Sequence, residues 1–297
     1  MKTAALQPTA AAPSRVVSDL AELVKARLTL LVLLTTAVGY YLGARDAIRA
    51  LSFINAVLGT ALAAGGAAAL NQWWERQLDA QMHRTRERPI PGGRMSPRDA
   101  LFLGILLSLG GIIYLAVACN ALAAWLAALT IVLYIFAYTP LKRISTSNTL
   151  VGAIPGAIPP MIGWAAARNN VDLGAWSLFA ILFFWQMPHF FALSWMYRGD
   201  YARAGFRMVS SEDDSGARSS SQSVLFCMLL LLVSGIPFYI GLTSAVYLAF
   251  ALGSGGFFMW SALRFHQRRT AKDARNVFLA SIIYLPVLLI ALVCTKT

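Results

Sequence analysis

The sequence predicts an all-α polytopic membrane protein with nine transmembrane helices and a cytoplasmic N-terminus. Three observations carry that prediction. Of the 297 residues, 58% are hydrophobic and only 13% are charged, roughly half the charge fraction of an ordinary soluble domain. Nine apolar runs are each long enough to cross a bilayer core about 30 Å thick. All 13 acidic residues fall outside those runs, because a carboxylate in hydrocarbon is costly. The runs are continuous rather than alternating, which excludes a transmembrane β-barrel. A mean hydropathy of +0.62 likewise excludes a disordered chain.

In chain order, residues 1–24 are rich in Ala, Ser and Pro and read as a flexible tail. Residues 25–297 read as a single transmembrane domain. Its spans are expected at 28–44, 51–70, 101–119, 121–141, 149–167, 173–195, 224–241, 244–263 and 277–293. The stretch 61–69 is nearly all Ala and Gly, and Gly152 and Gly156 are four apart, so these helices can be approached closely. Six prolines in the later spans (Pro155, Pro159, Pro160, Pro188, Pro237 and Pro286) are expected to kink their helices.

The net charge of +12 comes from 25 basic against 13 acidic residues. The basic residues cluster between apolar runs, which is a topology signal and not a nucleic-acid surface. Only Arg45, Arg49, Arg168 and Lys296 lie on one side, and the other 21 lie on the side of the N-terminus. That asymmetry assigns the N-terminus to the cytoplasm and the C-terminus to the outside. The tail carries neither a signal-peptide core nor an Arg-rich transit pattern, so a bacterial inner membrane is expected. Cys119, Cys227 and Cys294 lie far apart in apolar sequence, without metal or redox spacing.

The chemistry is expected just beyond the second span. Asn71, Glu75 and Asp79 are spaced by four, which stacks three oxygen donors on one face of a continuing helix. Such a face could be a solvated helix end. Acids are scarce in this chain, however, and Arg84, Arg86 and Arg88 follow at once. Oxygen donors suit Mg²⁺, and guanidinium forks suit phosphate oxygens. Together they suit a Mg²⁺–diphosphate ligand. Lys142 and Arg143 add basic groups on the same side, and Arg198 and Asp200 follow the sixth span there. His189 lies about two turns inside that span, either as a packing residue or as a functional ionisable group.

These motifs resemble the UbiA superfamily of intramembrane prenyltransferases, and within it the branch that farnesylates haem. Asn71, Glu75 and Asp79 are similar to the superfamily's first Asn/Asp-rich motif. Three strings are similar to the haem branch: Arg84-Thr85 with Arg88-Pro89; Tyr138 to Arg143 with Asn148 and 156–164; and Trp185 to Phe191 with 198–205. The resemblance implies a helical bundle around a central cavity and transfer of the farnesyl group of farnesyl diphosphate to a vinyl group of haem b. It implies Mg²⁺ held by Asn71, Glu75, Asp79 and Asp200, and diphosphate neutralised by Arg84, Arg88, Lys142, Arg143 and Arg198. His189 would orient haem or act as a base, and a haem-handling enzyme would be a partner. Two departures stand out: Glu75 replaces the usual Asp, and Ala204 follows Asp200 where prenyltransferases acting on quinone precursors carry a second acid. A prenyltransferase for a quinone or chlorophyll precursor, or a transporter, is the alternative reading.

Overall fold

The computed structural model describes residues 13–45 and 47–297. Eleven helices are used below. They are α1 (Pro13–Leu23), α2 (Ala26–Gly43), α3 (Ala50–Asp79), α4 (Pro97–Ala118), α5 (Ala121–Leu141) and α6 (Asn148–Arg168). They continue with α7 (Leu173–Met196), α8 (Arg198–Arg203), α9 (Ala217–Tyr239), α10 (Ala245–Arg268) and α11 (Ala271–Cys294). Among the described residues, nine of these are long and apolar enough to cross a membrane, all but α1 and α8. The chain is a multi-pass membrane protein. Large apolar side chains such as Phe102, Val117, Leu232 and Ile290 point outward, as a surface facing lipid requires.

Residues 1–12 of the expected flexible tail lie outside the described residues. From Pro13 to Leu23 the chain is helical rather than loose. Two anchors explain the order: the Gln72 side-chain amide donates to the carbonyls of Glu22 and Leu23, each at 2.8 Å. Arg94 also binds Asp19 at 2.8 Å and Glu22 at 3.1 Å.

Helix α3 is the main departure in length. Its apolar run ends at Leu70, yet the helix continues to Asp79, for 30 residues in all. At about 1.5 Å per residue it reaches about 45 Å, well beyond a bilayer core of about 30 Å. The polar extension 71–79 consists mostly of good helix formers, so nothing in it stops the helix at the apolar boundary.

Two crossings are irregular. Helix α5 passes through a π-helical turn at Leu133–Tyr138 before its last turn, a distortion frequent at functional sites. Helix α6 is jointed at Ile158, between Asn148–Ala157 and Pro159–Arg168. Pro159 and Pro160 begin the second segment, where their missing N–H groups cost little.

Helix α2 packs most closely against the second segment of α6. A Cβ on Gly39 would overlap the Pro160 carbonyl, and one on Gly163 would overlap the Thr36 carbonyl. Only glycine permits that backbone approach. The crossing ties the second half of α2 to the rest of the bundle. A Gly163→Val variant is expected to lose about 1–3 kcal/mol of stability. Gly253→Ala, where a Cβ meets nothing within 4 Å, is expected to be neutral. Thermal unfolding in detergent distinguishes the two; equal melting temperatures would contradict this packing.

Candidate active site

Asn71, Glu75 and Asp79 occupy one face of the last turns of α3, and all three are buried. Two carboxylates so placed repel each other unless positive charge lies close by. Three cations supply it. The Lys142 ammonium, just beyond α5, donates to both Glu75 oxygens at 2.7 and 3.0 Å. The Arg88 guanidinium donates to Asp79 Oδ2 at 2.7 Å. The Lys25 ammonium donates to Asn71 Oδ1 at 2.7 Å.

Local structure delivers each cation. Lys25 adopts a left-handed backbone (φ 49°) between α1 and α2, and this bend turns the chain at the mouth of the bundle. The π turn of α5 places Thr139 so that its hydroxyl donates to the Tyr134 carbonyl at 2.8 Å and accepts from the Asn71 amide at 3.2 Å. Lys142 follows three residues later, with its ammonium 4.5 Å from the Tyr138 ring centroid. Arg88 is carried by a loop folded back on α3, where the Thr85 hydroxyl donates to the Asp79 carbonyl at 2.8 Å.

The electrostatics differ between the two lysines. Burial, followed by the charges of Arg88 and Lys142, lowers Lys25 to about 7. Burial also acts to lower Lys142, but Glu75 and the phenols of Tyr138 and Tyr134 outweigh it and hold Lys142 above the usual lysine range. Lys142 is thus a firmly charged partner, whereas Lys25 is close to its midpoint at neutral pH. One acceptor is left over: Asp79 Oδ1 is buried without a hydrogen-bond partner.

The segment after α7 closes the same mouth. The Arg207 N–H donates to the Lys142 carbonyl at 2.7 Å, and the Asn148 amide donates to the Arg207 carbonyl at 2.6 Å. Phe206 and Ala204 pack with Met82 and Leu78. Asp200 lies here on α8, ion-paired with Arg203. Arg84 stacks over Tyr197 at 5.5 Å and Arg198 over Trp195 at 4.4 Å, and Arg143 is exposed.

The structure therefore pairs Glu75 with Lys142 and Asp79 with Arg88 and sets Asn71 on the same face against Lys25, whereas Asp200, Arg84, Arg198 and Arg143 make no direct contact with the acids. It does not bring three Asp, Glu, His or Cys groups into one metal shell among the described residues. His189 sits apart: its Nδ1 lies 2.7 Å from the Ser281 hydroxyl, and its ring packs between Trp185 and Phe278 against α11. Sequence reasoning missed Lys25 and Thr139 as parts of the site. Lys25 read as one topology charge among many, although its flanking Leu23, Val24 and Ala26 mark it as a cation entering apolar surroundings.

Comparison with known proteins gives the family and the fold. The UbiA prenyltransferase family model matches residues 32–285. The chain belongs to the UbiA prenyltransferase family. A protoheme IX farnesyltransferase of Solibacter usitatus is 43% identical over 279 residues, covering 91% of this chain and 96% of that protein. The UbiA fold is shared with a digeranylgeranylglyceryl phosphate synthase structure (TM-score 0.79, 14% identity, 94% of this chain and 98% of that one). It is also shared with a UbiA homolog from Archaeoglobus fulgidus bound to GPP and Mg²⁺ (TM-score 0.65, 12% identity, 93% of this chain and 100% of that one).

Removing one member of a buried ion pair leaves the other charge uncompensated. In this UbiA chain, Lys142→Met is expected to cost about 3–5 kcal/mol of stability. The double variant Lys142→Met/Glu75→Gln is expected to recover most of that loss. Calorimetric melting of the three proteins tests the pairing, and a double variant no more stable than the single one would refute it.

Proposed function

We propose that this UbiA chain transfers the farnesyl group of farnesyl diphosphate to a vinyl group of haem b, with addition of water, giving haem O. The observation that carries the reading is the face of Asn71, Glu75 and Asp79 interlocked with Lys25, Arg88 and Lys142. Such a face can hold a cation and an anion together, which a prenyl diphosphate with its metal requires. The acceptor follows from the relative's name, a protoheme IX farnesyltransferase that aligns along nearly its whole length. The single acid of the second motif, Asp200 with Ala204 four residues on, also favours haem over a quinone precursor.

The donor set fits Mg²⁺. All candidate ligands are oxygens, and the unpartnered Asp79 Oδ1 has capacity to spare. Mg²⁺ commonly uses one or two carboxylates together with substrate phosphates and water, so the lack of a three-carboxylate shell suits it. Asn71, Glu75 and Asp79 would hold the ion, with Asp200 completing the site from α8. When bound, it screens the diphosphate and makes it a better leaving group.

The chain's own groups do the rest. Arg88 and Lys142 shift from carboxylate to phosphate oxygens as the ligand arrives, and Lys25 adds a third cation. Arg84, Arg143 and Arg198 supply positive charge at the rim. The carbon–oxygen bond of the donor then breaks with its electron pair leaving on the diphosphate, and the farnesyl carbon bonds to the haem vinyl group. Water captures the resulting cation and releases a proton. The ring of Tyr138 faces Lys142 and keeps bulk water from that side. His189 orients or packs beside the haem rather than touching diphosphate. The reading places the mouth of the bundle on the cytoplasmic side of a bacterial inner membrane, and a haem-handling enzyme as partner.

Asp79→Ala and Asp200→Ala are each expected to lower turnover about 100-fold or more, and the first also to lower stability, since it leaves Arg88 unpaired. The check is mass analysis of haem products from purified variants supplied with haem b, farnesyl diphosphate and Mg²⁺. Near-normal rates in both would remove the metal–diphosphate assignment. Farnesylation of an aromatic quinone precursor, with haem b untouched by the wild-type protein, would overturn the acceptor.

A further inference from the structure

At the end of the bundle opposite the acidic face, a cleft of about 420 Å³ is lined by Arg45, Trp164, Arg168 and Lys296, with Leu42 and Leu173 as an apolar wall. The 18 residues of α2 put about 27 Å between the two ends, so this cleft is not part of the site described above.

Its cations outnumber its carboxylates by one. The Lys296 ammonium donates to the carbonyls of Tyr41 and Ala44 at 2.8 and 2.6 Å. Arg168 donates to the Gly43 carbonyl at 2.5 Å and to Asp172 at 2.7 Å. These bonds cap the end of α2, yet carbonyls carry no net charge. The lining carries Arg45, Arg168 and Lys296 against the carboxylates of Asp172 and the terminal Thr297. Burial and the charge of Arg168 lower Lys296 below the usual lysine range.

A second observation is independent of charge. Trp164 is 1% exposed and lines the cleft, and its indole N–H has no hydrogen-bond partner. The Arg168 guanidinium lies 4.7 Å from the Trp164 ring centroid. A guanidinium and an ammonium thus share one small cleft with an indole ring and an apolar wall, and the indole N–H buried behind that ring is unused. Guanidinium and ammonium groups together recognise carboxylate and phosphate oxygens, and a buried donor without an acceptor favours a ligand that supplies one.

We propose that this cleft binds an amphiphilic anion, a carboxylate or phosphate carried on an apolar body. Two sources offer that chemistry: the headgroup of an anionic phospholipid and the propionates of a porphyrin. The proposal stands whether or not the transfer reaction above is correct, because no residue of the acidic face takes part.

The test uses full-length protein in phosphatidylcholine nanodiscs. Phosphatidylglycerol retention is read by native mass spectrometry, and haem b binding by absorbance titration. Arg45→Gln and Trp164→Phe are the main variants, since neither removes a bond to the end of α2. Arg168→Gln/Lys296→Gln is the stronger but riskier one. Each main variant is expected to weaken one probe about tenfold, with phosphatidylcholine unaffected. A loss confined to phosphatidylglycerol assigns the cleft to lipid, and a loss confined to haem b assigns it to porphyrin carboxylates. Unchanged binding of both probes in folded variants, or no binding of either to wild type, overturns the proposal.

Discussion

Two buried carboxylates at the end of one membrane-crossing helix impose the constraint that organises this molecule. Glu75 and Asp79 lie on α3 where water is scarce, and an unpaired charge there would be costly. Separate parts of the chain therefore converge to neutralise them: the bend before α2, the loop after α3 and the end of α5. The irregular features of the fold serve that convergence. The left-handed residue at Lys25, the π turn before Thr139 and the loop pinned by Thr85 each aim a polar group at α3. The same pairing makes the face exchangeable, because each cation that balances a carboxylate can also balance a phosphate.

Much of the architecture was legible in the sequence, because hydrocarbon is an unforgiving solvent. Apolar runs and the exclusion of acids located all nine crossings, and α5 and α7 begin where expected. The errors were at helix ends. Hydropathy reports where a helix meets lipid, not where its hydrogen bonding stops, so α3 outran its apolar run by nine residues. Residues 13–23 looked loose because their order depends on Gln72 and Arg94, which are far away in sequence.

The site was partly legible for a similar reason. Asn71, Glu75 and Asp79 share a helix, so their spacing alone placed them together. The nearby Arg88 and the Lys142 motif were read as phosphate ligands, and both contact the acids. Lys25 could not be read this way, since its contact with Asn71 spans 46 positions and depends on the bend before α2. The π turn that brings Thr139 to Asn71 leaves no periodic trace in sequence. Polar groups concentrated at one mouth of the bundle, rather than on broken helices at its midplane, also separate this chain from the transporter alternative.

The central claim is that the carboxylate face is held by internal cations at rest and trades them for metal and diphosphate. The most direct measurement is calorimetric binding of a non-reactive thio analogue of farnesyl diphosphate to the purified protein, with Mg²⁺ and with EDTA. Tight binding that requires Mg²⁺, and that is lost in Glu75→Gln/Asp79→Asn, is the predicted result. Binding of equal strength in EDTA, or unaffected by those substitutions, would contradict the account.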